Sequence, residues 1–107
     1  MTIQVGEVVP DFGLTTSEGE DFSLDMLDGQ WKIFFFYAKS GSPTCKRGCL
    51  SFKEQYELFR SLDPPVEVVG ISQDSVEQHE EFKKELELPF ILLSDPDRKV
   101  ADMFGVP

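Results

Sequence analysis

Positive charge is in short supply in this sequence. Ten Lys and Arg face 20 Asp and Glu, a formal net charge of −10 over 107 residues. Nucleic-acid phosphates and anionic lipid headgroups repel a surface of that sign, so neither is expected as a partner. Long apolar runs are absent as well. The longest, Ile33 to Ala38, falls far short of the ~20 residues a bilayer-spanning helix needs. The opening MTIQVGEVVPDF has no basic stretch followed by an apolar one. No secretory signal is therefore expected, and a cytoplasmic protein is. Cysteine is limited to two residues, too few for a disulfide framework. What is present suffices for a core: 40% of residues are apolar, and 10 are Phe. A single domain over residues 1–107 is expected, since domains usually run to ~100–150 residues.

Cys45 and Cys49 lie four positions apart, and so close a pair reads as redox or metal chemistry. Two buried thiols packed as small hydrophobes would fit the spacing too. The charge around them is unusual. No acid occurs between Asp28 and Glu54, whereas Lys32, Lys39, Lys46, Arg47 and Lys53 all fall there, half of the chain's basic residues. Such a field favours a thiolate.

Hydropathy alternates between strand-like and helix-like periods. Residues 3–9 and 12–14 read as short extended segments punctuated by Gly6, Pro10 and Gly13. A turn is expected over residues 17–20, and residues 21–24 resume the alternation before a helical turn ending at Leu27. Trp31 to Tyr37 (WKIFFFY) is an apolar run of the kind expected in a central strand buried on both faces. Residues 66–71 and 90–93 read alike. Cys45, Cys49, Phe52, Tyr56, Phe59 and Leu62 follow one face of a helix, which Asp63-Pro64-Pro65 ends. A second helix is expected from Asp74, where Asp74 and Glu77 have capping-box spacing, with Val76, Phe82 and Leu86 inward. Its Glu-rich remainder, His79 among Glu77, Glu80 and Glu81, reads as solvated. A third helix is expected from Asp95-Pro96 to Gly105. This alternation implies an α/β fold with a mostly parallel sheet flanked by helices.

In open α/β sheets, chemistry gathers where a strand's C-terminal end meets the next helix. Residues 38–45 (AKSGSPTC) form that junction and place Cys45 in the helix's first turn. Unpaired N–H groups and the positive end of the helix dipole lower a thiol's pKa there. Ser42, three residues earlier, can turn its hydroxyl toward the sulfur, and Pro43 stiffens the loop.

The run FFYAKSGSPTCKRGCLSF resembles the active-site segment of the peroxiredoxins, of the AhpC/TSA type and its PrxQ (bacterioferritin comigratory protein) branch. There a Thr or Ser precedes the reactive cysteine by three residues, after a strand ending in Phe-Tyr. VGEVVPDFGLTTSEGEDFSL is similar to that family's opening hairpin. VVGISQDSVEQHEEFKKELELPFILLSDPDRKVADMFGV is similar to its next strand-helix-strand-helix stretch.

The resemblance implies a thioredoxin-like fold, in its peroxiredoxin variant, with an N-terminal β-hairpin and with the last strands and helix of that fold missing. It also implies a thiol-dependent peroxidase that needs no cofactor and no metal. Cys45 would be the peroxidatic cysteine, attacking hydrogen peroxide or an organic hydroperoxide and becoming a sulfenic acid. Ser42 would hydrogen-bond the peroxide, and Cys49 would be the resolving thiol that closes an intramolecular disulfide. A thioredoxin-type reductant would restore both thiols. A monomer or homodimer is implied. The chain departs from the pattern at Ala38, where the family has proline, and in C-x3-C where C-x4-C is usual, Leu50 holding the expected position. Arg47, Arg60 and Arg98 do not correspond to the family's active-site arginine, which lies on a later strand. C-x3-C on such a fold is similar also to Sco-type copper chaperones, which add a His to two thiolates; His79 is the one imidazole here. A non-catalytic truncated interaction domain is the third reading.

Overall fold

A computed structural model describes residues 3–27, 29–37 and 43–106. Turn chemistry sets the first hairpin. Thr16 Oγ1 accepts from the backbone N–H of Glu18 (3.3 Å) and Glu20 (3.2 Å). Gly19 takes φ +79°, a left-handed value that a residue without Cβ adopts at little cost. Across this turn β1 (Gly13–Thr16) and β2 (Asp21–Ser23) pair antiparallel, and a 3₁₀ turn (Leu24–Leu27) follows.

Three segments rich in branched and aromatic residues then form β3 (Trp31–Phe36), β4 (Val66–Ser72) and β5 (Ile91–Ser94). β3 pairs with β4 and β4 with β5, both in parallel. Parallel neighbours need a crossover, supplied by α1 (Pro43–Ser61) and α2 (Val76–Leu86). β1 runs antiparallel to β5, so the described strands make one mixed sheet in the order β2-β1-β5-β4-β3. The short α3 (Lys99–Met103) follows β5.

Successive side chains alternate across the pleat, which gives each face of the sheet its own core. Val69, Ile71 and Leu93 turn to Phe12, Phe22 and Val100 on one face. Val68 and Leu92 turn to Cys49, Phe82 and Phe90 on the other, where α1 and α2 pack. β4, flanked on both sides, is buried from Glu67 to Ser72.

Several expectations are corrected. Residues 3–9 form no strand: Gly6 takes φ +93°, Gln4 and Glu7 close a turn, and Ile3 is tied instead to the Met103 carbonyl (2.9 Å). Among the described strands β3 pairs with β4 alone, and its residues are exposed or half-buried rather than fully buried. Phe34 and Phe36 pack toward one core and Phe35 toward the other, so both faces of the strand carry apolar contacts. The capping box of α2 is Ser75 with Gln78: Ser75 Oγ accepts from the Gln78 N–H (3.3 Å) and Gln78 Oε1 from the Ser75 N–H (2.9 Å). Asp74 is drawn instead into a buried bond with Ser72. α3 starts four residues after Asp95, whose carboxylate reaches forward to the N–H groups of Val100 and Ala101. Among the described residues no helix is long and apolar enough to cross a membrane.

Candidate active site

β3 ends at Phe36, and the next residue, Tyr37, donates its N–H to the Ile71 carbonyl (3.1 Å), extending the ladder by one bond. α1 begins at Pro43, a residue whose missing N–H and fixed φ suit a first helical position. Cys45 therefore lies in the first turn, half-buried, and Cys49 one turn further along, with 0% of its surface exposed. No disulfide joins them. They share a cleft of about 350 Å³ with Thr44, Phe35, Tyr37 and Phe52. Ser42, Ala38 and Lys39 lie outside the described residues.

The cleft treats its two thiols differently. Burial, reinforced by the nearby Cys45 charge, pushes the Cys49 pKa up to about 12, so Cys49 stays protonated at neutral pH. Cys45, by contrast, reaches solvent from the end of the helix where N–H groups face outward.

The cationic surroundings expected from the sequence are partly spent elsewhere. Lys46 pairs with Glu85 (3.1 Å) and Lys53 donates to the Leu86 carbonyl (2.8 Å), both clamping α1 to α2. Arg60, at the far end of α1, binds Gln30 (2.7 Å) and approaches Glu67 (3.6 Å). Arg98 donates to the Val106 carbonyl (2.6 Å) and approaches Asp102 (3.6 Å), well occupied on the α3 side of the sheet.

Aromatic packing builds the cleft's floor. Phe35 stacks on Phe52 with centroids 4.5 Å apart, and Tyr37 packs on Phe35, Phe82 and His79 at 5.9 Å each. His79 overturns the expectation of a solvated residue: it is 0% exposed. Its Nε2 lies 2.7 Å from Ser72 Oγ, which also donates to Asp74 Oδ2 (3.0 Å), and Ser94 Oγ donates to the Asp74 carbonyl (2.6 Å). Burial pushes the His79 pKa down, with Asp74 pulling more weakly the other way. The signal for this was in the spacing. Val76, His79, Phe82 and Leu86 share one helical stripe, and the neighbouring glutamates drew attention from it. Among the described residues no group of three or more His, Cys, Asp and Glu gathers to hold a metal. The His79 ring is engaged by Ser72 and Tyr37, and no observation favours the copper reading.

A family model described as AhpC/TSA matches residues 5–107. The chain belongs to the AhpC/TSA family. The bcp protein of Coxiella burnetii is 42% identical over 106 residues, which is 99% of this chain and 69% of that protein. Peroxiredoxin Bcp of Bacillus subtilis is 37% identical over 106 residues, 99% of this chain and 66% of that one. The crystal structure of peroxidoxin BcpB from Mycobacterium tuberculosis superposes with a TM-score of 0.86 at 30% identity, covering 94% of this chain and 64% of that one. Within the family the chain falls in the Bcp/PrxQ branch, and its α/β architecture is the thioredoxin-like fold of peroxiredoxins. It spans about two thirds of the length of these relatives.

Proposed function

We propose that this chain carries the reacting thiols of a peroxidase that reduces hydrogen peroxide or organic hydroperoxides through Cys45. One observation carries the reading: of two thiols in one cleft, Cys45 opens to solvent at a helix N-terminus, while Cys49 is buried and held protonated one turn away. A first-turn position favours the thiolate, which is the nucleophile. The Cys45 thiolate attacks one peroxide oxygen; the O–O bond breaks, the other oxygen leaves with a proton as water or alcohol, and sulfenic acid results. The Ser42 hydroxyl holds the peroxide and the developing charge.

Cys49 then resolves the sulfenic acid. Residues four apart on one α-helix have Cα atoms roughly 6 Å apart, inside the ~4.4–6.8 Å range of disulfides. Both cysteines lie within α1, so the bond closes with little unwinding, and Gly48 between them eases the distortion. A disulfide strained by a helical backbone is readily reduced, which suits recycling by a thioredoxin-type partner. A cytoplasmic setting suits thiols that must be kept reduced between turnovers. Residues 1–107 act as one thioredoxin-like unit, as a monomer or homodimer. The peroxiredoxin names of the relatives support the reaction class.

Dimedone trapping tests the assignment. After peroxide treatment, the Cys49→Ser chain is expected to carry the label on Cys45. Absence of label there, with label on Cys49 in the Cys45→Ser chain, would reverse the roles.

A further inference from the structure

His79 takes no part in the steps above, yet its protonation state is legible in its bonds. The Asp74 carboxylate accepts the Ser72 hydroxyl proton, so Ser72 Oγ faces Nε2 as an acceptor and Nε2 carries the ring's proton. Nδ1 then bears a lone pair, and no described residue bonds to it although it is buried. Burial favours this neutral ring. The ring lies nearly flat against Tyr37, with centroids 5.9 Å apart and planes at 28°. Tyr37 in turn lines the cleft of Cys45 and Cys49 and packs on the cluster that buries Cys49.

We propose that His79 is a positioning residue for Cys49: its neutral ring, fixed by Ser72 and Asp74, holds Tyr37 as the wall that keeps Cys49 buried, and the wall opens when the ring takes up a proton. A protonated ring presents a second N–H at Nδ1, for which the described residues supply no acceptor, so the ion is accommodated by moving toward water. The titratable groups beside it are Asp74 from the β4–α2 turn, reached through Ser72, and Tyr37, the residue that follows β3; Cys49 of α1 lies beyond Tyr37 in the shared cleft. Lys46 and Lys53 cross from α1 to α2 near the same seam, and both are committed, to Glu85 and to the Leu86 carbonyl. Cys49 stays uncharged, so near neutral pH the ring's own proton is the charge that changes. Because the ring's pKa is depressed in the closed state, that state holds fully above pH about 6.5 and weakens as pH falls below it.

The consequence rests on the peroxidase reading. Opening lets Cys49 reach oxidised Cys45; its thiolate attacks the Cys45 sulfur, the S–S bond forms as the S–O bond breaks, and the hydroxide leaves as water with the proton Cys49 released.

The test follows modification of Cys49 by methyl methanethiosulfonate in the Cys45→Ser chain, read by mass, from about pH 5 to about pH 9. Only the thiolate reacts, so with a fixed wall the rate falls roughly tenfold per pH unit on acidification. With His79 present the slope is expected to flatten below pH about 6.5, because opening rises as thiolate falls. His79→Phe keeps a stacking ring that cannot titrate and should hold the tenfold slope throughout. His79→Ala removes the wall's support and should raise the rate about tenfold or more at neutral pH, without the flattening. An unbroken slope in the His79 chain overturns the proposal and requires no His79 variant to fold; flattening that persists in His79→Phe overturns it too. No peroxide enters this assay. Failure to trap sulfenic acid at Cys45 would therefore refute the peroxidase reading without touching this result, and the reverse holds.

Discussion

Gly70 sits in β4 directly opposite Phe35 on β3 and Leu92 on β5. Both neighbours lean over the space its side chain would fill. A Cβ at Gly70 would come within 2.8 Å of Phe35 Cζ and 2.8 Å of Leu92 Cδ2. That Phe35 ring is the one stacked on Phe52, so the gap above Gly70 links the sheet to the helix bearing both cysteines. Gly70→Ala must displace one ring or one leucine. Overpacking of this kind costs ~1–3 kcal/mol, while the stiffer unfolded chain returns ~0.4–1 kcal/mol, leaving a net loss centred on ~1.3 kcal/mol. At ~4–8 °C per kcal/mol for a domain of this size, the Tm should fall by ~5–10 °C. Thermal unfolding followed by circular dichroism measures it. Adding Phe35→Leu should recover part of the cost, because the shortened side chain vacates the contested space. A Tm equal to or above that of the parent would refute the claim that space selects glycine here.

Asp95→Ala should cost ~1–3 kcal/mol in urea unfolding, since it strips the acceptor from the N–H groups of Val100 and Ala101 at a site 2% exposed; an unchanged midpoint would contradict this. Raising the pH should also destabilise the protein. Cys49 has its pKa raised to about 12 in the folded state, so the stability it contributes is complete below the ordinary thiol value of ~8.5 and is lost above it at up to ~1.4 kcal/mol per pH unit. The Cys49→Ala chain should lack that part of the slope. Ser42→Ala should slow the reaction with peroxide by ~2–4 kcal/mol of barrier without lowering the Tm, and an unchanged second-order rate constant would remove Ser42 from the mechanism.

The elements carried by a clear period were legible in the sequence. The stripe from Cys45 through Phe59 forms α1, and residues 66–71 and 90–93 fall in the strand regions expected. At β3 the aromatic run is matched by contacts on both faces of the strand, since hydropathy reports coverage of a strand's faces and is silent about its hydrogen-bonded neighbours. The cap of α2 shifted by one residue because Asp74 bonds Ser72 two positions back, a local alternative that competes with capping. At the site, the cysteine pair and its helix were readable from spacing. The place of His79 beside Ser72 and Asp74 was not, since it joins that local pair only when α2 packs against the end of β4. Tyr37 likewise acquires its place in the cleft from the crossover that returns α1 over the sheet.

The central claim is that Cys45, and not Cys49, meets the peroxide. It is tested most directly by the second-order rate constants of thiol loss with hydrogen peroxide in the two single-cysteine chains at neutral pH. The Cys49→Ser chain is expected to react at a rate close to that of the parent. The Cys45→Ser chain, whose remaining thiol is buried and protonated, should be slower by about three orders of magnitude or more. Comparable rates, or a faster Cys45→Ser chain, would contradict the account.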